Sequence, residues 1–564
     1  MYSLFMKYLW ILLIIQYVEA ALRIDPLVNT KLGLIRGLRS ANGQYSRFLG
    51  IPYAKVDENN PFGPSLPYEP FEGVFEAYSD AAECPQVTQQ SELVGTLDCL
   101  RLNVYVPNTA TFQNRLPVFV WIHGGAFMYG SDVEIFYGPR FLVRNDVIVV
   151  ALNYRLGPYG FMCLDITEVP GNQGLKDQLL ALRWIKDNIE SFGGDSNKIT
   201  IVGESAGGAS VDYHLLYSKG DLFNKVIVQS GTALSTFAIS EIDTTVPLKL
   251  AEYLGYPTND TRAALSFLSS IETNLVVAAL DSLNIVLVPC VENNYDDIEK
   301  FVTDYPVNVN IANNDVTVMI GFTANESLAF YSKHPLEYFL NSNAINDFLE
   351  KSFNMDDEYR NEMANIISHY YIGDDTTSEN VKWGLIDFES DYKFVSPTHR
   401  SIEFYRKNGI KNIFMYMFSY DGGRNYNKLQ FNNTLEGATH ADELGYLFDM
   451  ESMEKYFVET SADVLVLDRM TAMWTNFVKY GDPTPSTSDL LPIKWEPVSD
   501  DVLHYLDIDS ELTLHNRPFQ QRAAFWDLFY KLNEKYQKGY KISKNKNISE
   551  FICFYKVSTV HRHV

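Results

Sequence analysis

Cysteine is scarce in this chain, five residues in 564, and that scarcity excludes a scaffold built on disulfides. No Gly/Ser-rich or Pro-rich linker, internal repeat or low-complexity tract divides the sequence, so one large domain is expected despite the length. Basic residues are in deficit, 46 Lys and Arg against 71 Asp and Glu, for a formal charge of -25. That balance argues against nucleic acid and anionic membrane surfaces as partners. Beyond the first twenty residues no apolar run is long enough to cross a bilayer. Nothing near the cysteines has metal-ligand spacing, so no metal site is expected.

What is present is a large apolar fraction, 46% of residues, enough for a substantial core. Met1 to Ala20 carries Lys7, the apolar run Tyr8 to Ile15 and small residues around Val18-Glu19-Ala20. This predicts a secretory signal over residues 1–20, because the apolar stretch is short for a membrane anchor. The C-terminus lacks the apolar tail of a lipid-anchor signal, and the lysine-rich stretch Lys531 to Lys546 reads as a solvated tail. In an oxidising compartment Cys84 and Cys99, either side of a polar stretch, would close a loop worth about 3 kcal/mol, the alternative being two buried thiols. Cys163, Cys290 and Cys553 are scattered and expected to be reduced or incidental. Asn259, Asn432 and Asn547 open glycosylation sequons.

Continuous apolar runs at Val118–Ile122 and Val147–Leu152 predict strands buried on both faces of a mostly parallel sheet. Further strands are expected at Ile199–Val202, Val226–Val228, Val316–Ile320 and Ile413–Phe418. Gln173 to Ser191 has the spacing of an amphipathic helix, and helical patterns dominate from Ser235 to Asn310 and from Leu336 to Glu403. An α/β architecture follows, with helices covering a central sheet.

Gly203-Glu204-Ser205-Ala206-Gly207 stands between the strand Ile199–Val202 and a helix-forming stretch. That is the layout of a nucleophile elbow, in which a sharp strand-to-helix turn exposes a serine hydroxyl. A serine needs a base, and the base needs an acid to orient it. With the chain order serine, acid, histidine, His440 is the candidate base. It lies in the loop Gly437-Ala438-Thr439-His440 beyond the strand ending at Phe418. His334, His369 and His399 read as solvated surface residues. Glu326, in the loop after the Val316–Ile320 strand, is the candidate acid. If it is buried beside His440, a glycan on Asn325 would strike the core, so the Asn325 sequon is expected to stay unmodified. His123-Gly124-Gly125-Ala126-Phe127 follows another strand end. The bare amides of Gly125 and Ala126, with that of Ala206, could form an oxyanion hole, each donor worth about 3 kcal/mol.

These segments resemble the type-B carboxylesterase and cholinesterase-like family of α/β-hydrolases. The likeness is carried by Asp98 to Asn103, His123 to Phe127, Asn153 to Gly157, Pro170 to Gln178, Phe192 to Asp195 and the elbow. It continues through Gln229-Ser230-Gly231, the Glu326 and His440 loops, Trp474 to Phe477, Gly481-Asp482-Pro483 and Phe525-Trp526, spanning residues 23 to 530. The resemblance implies an α/β-hydrolase fold over residues 21–540, followed by a polar, basic tail at 541–564. It also implies a Ser205, Glu326, His440 triad, an oxyanion hole at Gly125, Ala126 and Ala206, and a Cys84–Cys99 bridge. The implied activity is hydrolysis of small to medium carboxylic esters, without cofactor, through an acyl-enzyme. The look is closest to secreted insect carboxylesterases.

Departures narrow the expectation. Tyr256 stands where the family's second disulfide commonly has a cysteine, so that bridge is lost. The Cys84–Cys99 loop has no tryptophan, so the platform that grips quaternary ammonium is missing and acetylcholine is not an expected substrate. Ser327 replaces a frequent glycine, and Glu204 stands where hormone-esterase relatives often carry Gln. The competing readings are a catalytically dormant adhesion or binding member of the same fold, and a lipase, for which no lid signal is seen. An ordinary imidazole at 440 would make activity fall as pH drops through about 6 to 7.

Overall fold

The computed structural model describes residues 25–293, 298–331, 333–374, 377 and 379–539. The expected signal segment, Asn547, Cys553 and the 541–564 tail lie outside these residues. The molecule is built on an eleven-stranded sheet. Its strands are β1 (Leu38–Arg39), β2 (Tyr45–Pro52), β3 (Arg101–Pro107), β4 (Leu116–Ile122), β5 (Ile148–Leu152), β6 (Gly194–Glu204), β7 (Lys225–Gln229), β8 (Thr317–Thr323), β9 (Ile413–Phe418), β10 (His504–Ile508) and β11 (Leu512–Asn516). They lie side by side in the order β11-β10-β9-β8-β7-β6-β4-β5-β3-β2-β1. From β5 across to β10 every pairing is parallel, while both margins are antiparallel. This is an α/β-hydrolase fold with a mostly parallel sheet.

Period-2 alternation in the parallel strands divides the core into two. Val118, Val120 and Ile122 of β4 pack on one face with Ile148, Val150 and Leu152 of β5. Phe119 and Trp121 turn to the other face with Val149 and Ala151. Helix α1 (Gln173–Asn188) covers the first face through Leu175, Leu179, Leu182 and Ile185, which explains its 3.6-residue apolar spacing. A later helix, α6 (Ser461–Tyr480), covers the second through Met470, Met473, Trp474 and Phe477. A third cluster joins α3 (Ala344–Ser352), α4 (Glu379–Ser390) and α7 (Gln520–Asn533) through Phe348, Phe388, Trp526 and Phe529. Between α4 and α5 (Ser396–Lys407) a π-turn at Asp391–Val395 interrupts the helical repeat.

The chain order reverses around β4, since β5 lies on one side of it and β6 on the other. Such a switch point opens a crevice at the carboxyl ends of the strands. His123–Phe127 leaves β4 there, Ser205 leaves β6, and the loops bearing Glu326 and His440 follow β8 and β9.

Three expectations are corrected. Cys163 and Cys290 are not reduced thiols but form a second disulfide, alongside Cys84–Cys99. Gly171 leaves room for the bridge, since a Cβ on that glycine would crowd both sulfurs. His399 is not a surface residue. It is buried on α5, and burial pulls its pKa down to about 3. Part of the supposed tail is ordered, because α7 runs through Lys531 to Asn533 and Asn354 N–H then donates to Tyr536 O at 2.7 Å.

Candidate active site

The turn from β6 into α2 (Ala206–Tyr217) places Ser205 at φ 59° and ψ -123°, a conformation that costs an L-residue energy and persists only when the surroundings enforce it. They do so by close approach. A Cβ on Gly207 would overlap the Ile122 carbonyl, and one on Gly203 would overlap the Gly207 backbone. Ser205 N–H donates to Gln229 O at 2.9 Å, and its side chain sits half-buried at the crevice.

Glu326 is fully buried and His440 is 6% exposed. The carboxylate accepts from Ser230 Oγ at 2.6 Å and from Thr323 N–H at 2.8 Å. Its other oxygen lies 2.7 Å from His440 Nδ1, which places a proton on Nδ1 and, in the neutral imidazole, leaves Nε2 free to accept. The two loops are stitched by His440 N–H and Thr439 Oγ1, both donating to Glu326 O. Asn325 N–H donates to Ala438 O in the same seam. Asp442 holds the turn beyond by accepting from Thr439 N–H, Lys428 N–H and Asn425 Nδ2.

The imidazole Nε2 faces the elbow, where Glu204 Oε1 lies 3.1 Å away, within ion-pair distance but off the line of a hydrogen bond. No hydrogen bond joins Ser205 Oγ to His440 among the described residues. Glu204 was noted in the sequence only as a departure, and here it is the nearest acid to Nε2. A third buried carboxylate, Glu443, accepts from Gln229 Nε2 at 3.0 Å, while Trp474 Nε1–H donates to Gln229 Oε1. Burial pushes Glu204 up to about 8 and Glu443 to about 7. Burial alone would lower His440, but Glu204, Glu326 and Glu443 outweigh it and raise the imidazole to about 9. The cluster therefore holds its shared proton more tightly than an isolated histidine would.

Beside the elbow, Gly125, Ala126 and Phe127 all have positive φ, a run of left-handed backbone that residues other than glycine rarely adopt. The amides of Gly125, Ala126 and Ala206 have no acceptor among the described residues. Ala206 opens α2, so its N–H is one of the helix's unpaired donors and carries the positive end of the helix dipole. Gly124 lies against the elbow, where a Cβ would come within 3.1 Å of Ser205 Cβ and Glu204 Oε2. Phe394 and Phe330 wall the imidazole at 4.7 and 5.6 Å between ring centres.

A hydroxyl on a strained elbow, a carboxylate-oriented imidazole and three unpaired amides at one crevice are the parts of acyl transfer. The carboxylesterase family model matches residues 24–526. This chain belongs to the carboxylesterase family. It is 32% identical to esterase FE4 of Myzus persicae, over 83% of this chain and 86% of that one. To human bile salt-activated lipase it is 31% identical, over 89% of this chain and 68% of the lipase. The crystal structure of juvenile hormone esterase from Manduca sexta, with OTFP covalently attached, superposes with a TM-score of 0.76 at 26% identity, over 91% of this chain and 100% of that one. As a carboxylesterase family member the protein is a carboxylic ester hydrolase.

Ser230 and Glu443 went unassigned in the sequence. Ser230 stood inside the Gln229-Ser230-Gly231 segment and Glu443 one turn past His440, so position was the available signal. The Asn259 and Asn432 sequons are exposed and Asn325 is half-buried.

Proposed function

We propose that the protein is a secreted serine carboxylesterase that cleaves small to medium carboxylic esters through an acyl-enzyme on Ser205. The observation that carries this reading is the Glu326–His440 contact at 2.7 Å, with Nε2 turned toward the elbow. Ser205 Oγ attacks the ester carbonyl carbon while its proton passes to His440 Nε2, and Glu326 stabilises the imidazolium. For that transfer the hydroxyl must displace Glu204 as the partner of Nε2. The carbonyl oxygen, now an oxyanion, is held by the amides of Gly125, Ala126 and Ala206. When the tetrahedral intermediate collapses, the C–O bond to the alcohol breaks and His440 returns the proton to the leaving oxygen. Water then attacks the acyl-enzyme by the same route and releases the carboxylic acid.

The aromatic walls at Phe330 and Phe394 limit the space beside the imidazole and support small to medium substrates. Secretion is supported by the leader-like N-terminus, by two disulfides and by exposed sequons at Asn259 and Asn432. The Manduca sexta esterase carries covalently attached OTFP, which supports a covalent step on a fold of this kind. A panel of p-nitrophenyl acetate, butyrate, octanoate and palmitate tests the reading. Turnover of the short esters that S205A lowers by about 10⁴-fold or more is expected. Equal rates in S205A, or no turnover at all, would favour the dormant binding member.

A further inference from the structure

A second cavity, of about 250 Å³, lies among α3, α5, α7 and the segment after β7, and neither Ser205 nor His440 lines it. Its charge is opposite to that of the protein. The chain carries -25 overall, yet Lys351, Arg400 and Lys538 face this space against the single carboxylate of Glu241. Glu241 pairs with Lys538 at 3.4 Å, which leaves the other two cations uncompensated.

Arg400 lies over the Tyr530 ring, 3.8 Å from its centre, and donates one N–H to the Gln537 side chain at 3.2 Å. Asp527 senses its charge from a distance, but no carboxylate closes an ion pair with Arg400 or with Lys351 among the described residues. Lys393 adds further positive charge beside Lys351. Leu234, Ile239, Pro306 and Val307 supply an apolar wall. A lining that combines cationic and aliphatic side chains matches an amphipathic anion. The volume falls below the roughly 300–1,000 Å³ of drug-sized sites, which selects a short chain.

The cavity also shares a wall with the active site. Thr236 lines it, while Phe237 turns the other way and packs on Phe394 at 5.4 Å, whose ring lies against His440. We propose that this cavity is a second binding site, for a short-chain carboxylate anion whose charge is held by Arg400 and Lys351 and whose chain lies on Leu234, Ile239, Pro306 and Val307. Carboxylic acids of this class are what ester cleavage releases. The binding itself requires no turnover and stands or falls apart from the acyl-enzyme reading.

Calorimetric titration of the full-length protein with hexanoate at neutral pH tests it, using wild type, S205A, Lys351→Gln and Arg400→Gln, with hexanol as the uncharged control. Hexanoate should bind wild type and S205A equally, and each cation variant should bind it about tenfold more weakly, the loss of one charge-assisted contact. Lys351 is exposed at the rim and unpaired, so its variant keeps the test open if Arg400→Gln disturbs folding. Loss of binding in S205A would place the ligand at the active site and overturn the proposal. So would hexanol binding as tightly as hexanoate, unchanged affinity in Lys351→Gln, or no binding at all.

Discussion

Replacing Glu204 by glutamine removes the charge nearest the imidazole nitrogen while keeping the side chain's size. At 3.1 Å, two unit charges interact by about 5 kcal/mol at an effective dielectric constant near 20. That figure is a ceiling, because burial holds Glu204 near 8 and the carboxyl is partly protonated over much of the working range. A shift of about 1–3 pH units is the expected size for an adjacent charge. The sign follows from which form the carboxylate favours. It stabilises the imidazolium, so its loss lets His440 give up its proton at lower pH. In the wild type, the limb along which kcat/KM rises with pH should lie above the 6 to 7 expected of an isolated imidazole, because the surrounding carboxylates raise His440. In E204Q it should move down by about 1–3 units. The assay is kcat/KM for p-nitrophenyl butyrate from pH 4 to 10 in both proteins. A limb that stays in place or moves upward would refute the reasoning, since Nε2 would then not feel Glu204.

Further outcomes follow from the same geometry. Ser230→Ala removes a donor to Glu326 at 2.6 Å, a bond to a charged group worth about 1.5–3 kcal/mol. kcat should fall by about ten- to a hundredfold, with KM little changed, in steady-state kinetics. The Cys163–Cys290 bridge closes a segment with a sequence separation of 127 residues, worth about 5 kcal/mol by loop entropy against about 3 for Cys84–Cys99. Replacing Cys163 and Cys290 together by alanine should therefore lower the thermal midpoint more than the same change at Cys84 and Cys99, measured by calorimetry. Peptide mapping of the native protein without reductant should recover both cross-linked pairs.

The centre of the fold was legible because its strands are buried on both faces, so Val118–Ile122 and Val147–Leu152 read as unbroken apolar runs. The margins were not. His504–Ile508 and Leu512–Asn516 keep one face wet and mix Asp507, Thr513 and His515 into short strands, and that pattern resembles a loop. The elbow was legible because its backbone demands glycine at 203 and 207, a requirement that leaves its mark on the sequence. The Cys163–Cys290 pairing left no such mark, since the two cysteines have a sequence separation of 127 and meet only in the folded chain. Burial hid His399 in the same way, as a histidine on a helix face carries no sign of which way that face turns. The acids around His440 were partly visible. Glu326 was reached through chain order, whereas the approach of Glu204 and Glu443 depends on how β6 and the His440 loop are stacked.

The most direct test of the central claim is to react the purified protein with an organophosphate and locate the adduct by peptide mass spectrometry, alongside H440A. Stoichiometric modification of Ser205 in the native protein and greatly slowed modification in H440A are expected. An unmodified Ser205, an adduct on another residue, or equal labelling rates in the two proteins would contradict that claim.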